Sequence, residues 1–245
     1  MYYCSEYDSP LGRLTLASDG EAICGLWIEG QRYHGLEFKG ASIPGAMKRN
    51  DDAGGFDELR AWLERYFERE FPSGPDAADA AMSHAVSAPS AGCASASGAD
   101  SIRAYTSFAA SSPDSDNASD ANTETLGQTS DFPVVFEGVP LAPMGSPFRR
   151  AVWRRLLAIP YGRLTTYGAI SKDVASELGR SSALAVGGAV GHNPISIIIP
   201  CHRVVGSDGS LTGYAGGLDK KEWLLAHEGI DVDREKVSRG LLYPR

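Results

Sequence analysis

The chain has 245 residues, of which 42% are hydrophobic and 22% charged, and its formal net charge is -8. That length accommodates one large or two small domains, each able to bury a core, and no apolar run approaches the roughly 18 residues that a membrane span requires. The opening Met1-Tyr-Tyr-Cys-Ser-Glu6 lacks a basic region followed by an apolar stretch, so a secretory leader is not expected and a cytoplasmic protein is.

In chain order, residues 2–28 predict an antiparallel meander: Tyr2 to Tyr7, a turn at Asp8-Ser-Pro-Leu-Gly12, alternating Leu14 and Leu16, a turn at Ser18-Asp-Gly20, then Ile23 to Ile28. Leu59, Trp62, Leu63, Tyr66 and Phe67 fall at i, i+3, i+4, i+7 and i+8, the spacing of an amphipathic helix packed on that sheet. From Ser73 to Asp131 the character changes, because 28 of these 59 residues are Ala or Ser. Such a segment cannot bury enough apolar area to offset its ordering entropy, and disorder is expected. A strand is expected between Phe132 and Leu141.

Ser146-Pro147 supplies an N-cap and a proline at the first helical position. Phe148, Val152, Leu156 and Ile159 form the apolar stripe of that helix, and Arg149, Arg150 and Arg154 lie off it, as a solvated face or as phosphate contacts. Thr166 caps a second helix to about Leu178, and Ser181 or Ser182 a third over Ala183 to Gly191, with Gly179 in the turn between. Helix, glycine turn, helix is the helix-turn-helix pattern. Gly187 and Gly188 each cost this third helix about 1 kcal/mol relative to alanine. They imply either close packing against another helix or a slim helix made to enter a narrow groove.

Ile195 to Val205 reads as a buried strand between Asn193-Pro194 and Gly206-Ser-Asp-Gly209, with Pro200 ending or bulging it where Cys201, His202 and Arg203 follow. A glycine-rich loop, Ser210 to Gly217, leads to a last helix that ends at His227-Glu228-Gly229, with Asp219 and Glu222 as a capping-box-like start. Charge divides unevenly along the chain. Residues 144–245 carry 14 Lys/Arg against 9 Asp/Glu, whereas residues 1–143 carry 9 against 22. Any nucleic-acid surface therefore belongs to the C-terminal part.

A cysteine acts as a nucleophile as its thiolate, and neighbouring His and Arg side chains favour that form. The bland alternative is an inert buried thiol. Pro200-Cys201-His202-Arg203-Val204-Val205 resembles the active-site motif of the O6-alkylguanine-DNA alkyltransferases. The resemblance runs from Met144 to Gly229 and, more weakly, over the N-terminal third. It implies an α+β protein: a small α/β N-terminal domain of ribonuclease-H-like type over residues 1–143, interrupted by the insert 73–131, then a helical alkyltransferase domain over 144–245 with a helix-turn-helix of winged-helix type.

The same resemblance implies direct, stoichiometric transfer of an alkyl group from O6-alkylguanine, and less efficiently O4-alkylthymine, in double-stranded DNA to Cys201. It implies no cofactor and a monomer. His202 and Glu228 complete a relay toward the thiol, Tyr167 protonates the leaving base, and Asn193 bridges the helix-turn-helix to the active-site segment. Val204 and Tyr214 line the base pocket, with the carbonyls of Cys201 and Val204 reading the exocyclic amine. Arg203, Leu184, Ala185, Gly187 and Gly188 face DNA, the third helix lying in the minor groove. Some relatives hold a structural zinc in the first domain, but the spacing of Cys4, Cys24 and His34 does not match that set, so no metal is expected.

Two other functions fit parts of the pattern. Alkyltransferase-like proteins bind the lesion without repairing it and recruit excision repair, but they lack the cysteine. A cysteine hydrolase would turn over many times on a small ester. One departure from the family stands out: Leu184 occupies the position of an arginine that enters the base stack.

Overall fold

The computed structural model describes residues 1–35, 47–68, 134–233 and 236–237; the expected insert 73–131 lies outside them. The meander forms as expected. Strands β1 (Tyr2–Ser9) and β2 (Gly12–Ser18) make a hairpin that closes at Ser9↔Gly12, and β2 pairs antiparallel with β3 (Ile23–Ile28). A short β4 (Met47–Arg49) joins β1 in parallel. The stretch expected as one strand before Leu141 is instead a hairpin, β5 (Val134–Phe136) and β6 (Val139–Leu141). Glu137 and Gly138 turn it with φ of 48° and 90°. Two consecutive positive φ values match the right-handed twist of the flanking strands. The six strands lie in the order β4-β1-β2-β3-β6-β5.

Helix α1 (Phe56–Phe67) buries Phe56, Leu59, Trp62, Leu63 and Tyr66. This stripe joins the sheet and the C-terminal helices in one apolar core. In the C-terminal part, Ser146 caps α2 (Pro147–Leu157) by accepting from the Arg149 N–H, and Thr166 caps α3 (Tyr167–Leu178) through Ala169. Ser182 caps α4 (Ala183–Gly191) through Ala185. Gly179 ends α3 with φ 78°, a left-handed conformation that glycine adopts without penalty. The three helices pack on one another.

The expectation of a strand from Ile195 to Val205 is corrected. Ile195 makes a single parallel bridge to Leu26 of β3, held by Leu26 N–H to the Pro194 carbonyl and Ser196 N–H to the Leu26 carbonyl, each 2.8 Å. Ile197 then adopts φ 71°, which turns the chain into local hydrogen bonds such as Ile199 N–H to Ile195 and Cys201 N–H to Ile199. Only β8 (Val204–Val205) is a strand, parallel to β7 (Thr165–Thr166). All four isoleucines are buried. A compact irregular segment buries a β-branched run as fully as a strand does, so apolar composition alone did not separate the two.

The last helix, α5 (Leu218–His227), begins at Gly217 with no side-chain cap, which corrects the capping box expected of Asp219 and Glu222. A small hairpin of β9 (Val232–Asp233) and β10 (Lys236–Val237) follows. Among the described residues no helix is long and apolar enough to cross a membrane.

Candidate active site

Cys201, His202 and Arg203 form a single 3-10 turn after Pro200. Successive side chains in such a turn diverge by about 120°, so three adjacent residues reach three different environments.

Cys201 is buried beneath the surface, and its Sγ accepts a hydrogen bond from Asn193 Nδ2 at 3.1 Å. The same amide nitrogen donates to the Ile199 carbonyl at 2.7 Å, while Asn193 Oδ1 accepts the Ile195 N–H. Asn193, just beyond α4, thus clamps both flanks of the segment that carries the thiol. Burial pushes the Cys201 thiol up; the Asn193 donor, the Lys221 charge and the backbone amides of Cys201 and His202 pull the other way without prevailing. The resting group is a thiol whose anion already has donors arranged around it.

His202 is 0% exposed and its Nε2 lies 2.7 Å from Glu228 Oε1. A carboxylate partner places the proton on Nε2 and leaves Nδ1 as the acceptor. Nδ1 is buried and has no hydrogen-bond partner among the described residues. Burial lowers the imidazole pKa against the pull of Glu228, so the ring is held neutral. Glu228 is buried at the end of α5 rather than solvated. Burial alone would raise its pKa, but Arg203 and His202 outweigh that and hold the carboxyl well below its usual range.

Arg203 corrects an expectation. The residue is 6% exposed, and its side chain donates to Glu228 from Nε at 2.8 Å and Nη2 at 2.9 Å and to the Ile159 carbonyl from Nη1 at 2.6 Å. The guanidinium also lies over the Tyr161 ring, 5.8 Å from its centroid. A side chain so enclosed neutralises a buried carboxylate and does not reach a phosphate.

A cleft of about 860 Å³ is lined by Tyr33, Tyr167, Leu184, Gly187, Gly188 and Tyr214. The Tyr167 hydroxyl donates to the Thr212 carbonyl at 3.1 Å, and burial raises its pKa. Tyr214 is raised further, by burial and by the neighbouring Cys201. A side chain at Gly216 would collide with the Tyr214 ring, whose Cε1 lies 2.8 Å from the site of a Cβ. Val204 is buried, and its carbonyl accepts Lys221 Nζ at 2.6 Å.

The glycines of α4 have no packing reason. A Cβ at Gly188 would meet nothing within 4 Å, and at Gly187 it would meet Tyr167 at 3.9 Å. Val186, Ala189 and Val190 are the buried side of this helix; Leu184 is 87% exposed and Ala185 is exposed as well. Close helix packing is therefore excluded as their explanation, and an open, low-relief face is what they make. Arg154 and Arg155 pair with Glu177 on the surface. In the N-terminal sheet, Cys24 is buried and the His34 ring stacks on Trp27 at 5.1 Å; among the described residues no group of three His, Cys, Asp or Glu is arranged to hold a metal ion.

Two contributors were not anticipated. Lys221, 0% exposed, donates to the carbonyls of Val204 and Thr212 and is lowered by burial to about 8. Its signal was a lysine within the i, i+3, i+4 stripe of Lys221, Leu224 and Leu225. Tyr66 of α1 donates to Glu228 Oε1 at 2.9 Å, and nothing in the sequence set it apart from a core aromatic.

Comparison with known proteins points to one family. Residues 2–73 match the family described as 6-O-methylguanine DNA methyltransferase, ribonuclease-like domain, and residues 147–230 match its DNA binding domain. A methylated-DNA–protein-cysteine methyltransferase of Haemophilus influenzae is 32% identical over 229 residues, covering 93% of this chain and 87% of that protein. The Shigella flexneri protein of the same name is 52% identical over 96 residues, 39% of this chain and 54% of its own length, so the chain spans about half of such relatives. Among solved structures, Mycobacterium tuberculosis O6-methylguanine methyltransferase superposes with a TM-score of 0.55 at 28% identity, covering 93% of each chain. The OGT of the same organism in complex with DNA matches equally, with a TM-score of 0.55, 28% identity, and 93% and 91% covered.

Proposed function

We infer that this chain, which belongs to the 6-O-methylguanine DNA methyltransferase family, repairs alkylated DNA by transferring the alkyl group of O6-alkylguanine, and less readily of O4-alkylthymine, to Cys201. The observation that carries this reading is the buried thiol held by Asn193 and felt by Tyr167 and Tyr214, two residues that line a cleft faced by the bare side of α4, with the neutral His202–Glu228 pair next in sequence. A base stacked in duplex DNA cannot reach a thiol so buried, so the nucleotide is flipped into the cleft, at a cost of a few kcal/mol.

The thiol proton passes through a bridging water toward the His202 Nδ1 acceptor. Sγ attacks the alkyl carbon in line, a C–S bond forms, and the C–O6 bond breaks with its electron pair entering the purine. Tyr167, on the cleft wall, supplies a proton to the leaving base and regains one from solvent. No redox partner or cofactor enters the balance. Lys221 and the Asn193 amide stabilise the developing thiolate, which is where preorganised donors act most strongly. The alkylated cysteine is not regenerated, and each molecule reacts once.

On this reading residues 144–245 are the catalytic and DNA-binding part and the N-terminal part supports it. The exposed Ala185 and Gly188 and the half-buried Gly187 support a helix lying along the minor groove, with Leu184 entering the stack as an apolar wedge. A ribonuclease-H-like topology for the first domain, a winged-helix form for the second, a monomeric state and a cytoplasmic location belong to the same reading.

The test is a single-turnover reaction with a duplex oligonucleotide containing O6-methylguanine, followed by intact mass. The protein gains one methyl group, on the peptide that holds Cys201, and Cys201→Ala gains none. Label on Cys4 or Cys24, transfer by Cys201→Ala, or lesion binding without any mass change overturns it.

A further inference from the structure

Glu228 receives more donors than are needed to orient a histidine. Oε2 accepts Arg203 Nε at 2.8 Å and the Gly162 N–H at 3.1 Å. Oε1, the oxygen that faces His202, also accepts Arg203 Nη2 and the Tyr66 hydroxyl, each at 2.9 Å. Four of these bonds come from the C-terminal part of the chain. The Tyr66 bond crosses from α1 of the N-terminal part, 162 residues away in sequence.

We propose that Tyr66 is a positioning residue of the active site: its hydroxyl, delivered by α1, holds the shared Glu228 oxygen and limits how strongly that oxygen draws on His202. The inference rests on the relay reading of the site given above. An oxygen shared among three donors bonds each less strongly than an oxygen given to one. Tyr66 and Arg203 thereby divert part of the carboxylate's charge from the imidazole, and His202 keeps an unprotonated Nδ1 able to take the thiol proton.

The placement is tight. The Tyr66 ring is 0% exposed, 5.2 Å from the Trp62 ring and 5.2 Å from the His227 ring, and 6.1 Å from Tyr161. Its carbonyl lies 2.6 Å from His227 Nε2, and the Tyr161 hydroxyl donates to the His227 carbonyl at 3.0 Å, so the end of α5 is tied to α1 at the residue preceding Glu228. The titratable and charged groups around His202 are Glu228, Arg203 and Lys221; around Tyr66 they are Glu228, Arg203, Tyr161 and His227.

Tyr66→Phe keeps the ring and deletes the donor. In the full chain, single-turnover transfer from the methylated duplex is measured between pH 5 and 9, and the His202 ring is titrated by NMR without DNA. We expect the acid limb of the rate profile and the imidazole titration to move together to higher pH, by roughly 0.5 to 1 unit, the size of one neutral hydrogen bond's influence on a neighbouring charge. Tyr66→3-fluorotyrosine, a stronger donor, moves both the other way. If both titrations stay in place while only the melting temperature falls, Tyr66 is a core tyrosine and the proposal fails. If the imidazole shifts as expected but neither protein methylates itself, the tyrosine's role stands and the alkyl-transfer reading falls.

Discussion

Helices α1 and α4 are opposite solutions to placing a helix beside a reactive centre. Helix α1 buries five large residues and extends one of them, Tyr66, to the buried carboxylate of Glu228 in the candidate site. Helix α4 turns small residues outward and buries only Val186, Ala189 and Val190, anchored by Trp153 Nε1 donating to the Ala189 carbonyl at 2.9 Å. A nine-residue helix with adjacent glycines is marginal by itself, so tertiary packing must hold it. The contrast teaches where free energy is committed: the groups behind the thiol are fixed by burial and mutual satisfaction, whereas the face toward the cleft gives up helical propensity to remain flat.

The largest effect should come from breaking the buried side. Arg203→Ala leaves Glu228 and the Ile159 carbonyl without their donors in a dry setting, and removing one partner of a buried pair costs about 3–5 kcal/mol. Chemical denaturation should show that loss, while the salt dependence of DNA binding stays unchanged because the guanidinium touches no phosphate. A salt slope reduced by one counterion would return Arg203 to the DNA surface.

Acid provides the next test. The Glu228 pKa is depressed in the folded protein, so its contribution to stability is complete above the usual glutamate range and is lost as pH falls below about 4.3. Unfolding midpoints measured from pH 7 to pH 3 should decline, and Glu228→Gln, itself less stable at neutral pH, should decline less steeply. Parallel slopes would assign the acid sensitivity to other carboxylates.

On the open side, Gly188→Leu fills space that no residue occupies. Folding should change by less than about 1 kcal/mol, with leucine's better helical propensity offsetting an added exposed apolar group. Affinity for duplex DNA should drop at least about tenfold, since the side chain holds the helix out of the groove. Destabilisation with unchanged DNA affinity would show that the flat face packs rather than docks.

The smallest effect concerns Leu184. Leucine can wedge between bases but brings no charge, so Leu184→Arg should raise the transfer rate on matched duplex and steepen its salt dependence by up to about one counterion. Transfer from free alkylguanine base, which requires no flipping, should be unchanged. Equal effects on duplex and free base would assign Leu184 to folding, an outcome its 87% exposure already argues against.

From the sequence alone came the meander, the caps of α3 and α4, the last helix and the hexapeptide around Cys201, because strand alternation, helical periodicity and cap chemistry are local properties of a few consecutive residues. Tertiary structure decided what those local rules do not encode. It turned Ile195–Cys201 from an expected strand into a folded-back segment through the positive φ of Ile197, since a chain buried on every side shows no period. Arg203 became the counterion of Glu228 rather than a DNA contact, and Glu228 was drawn into the interior, where it meets His202 and Arg203 together. Tyr66 entered the site from 162 residues away. A charged side chain's role is set by the partner it meets when the helices close, and that partner is fixed by the packing of the whole chain.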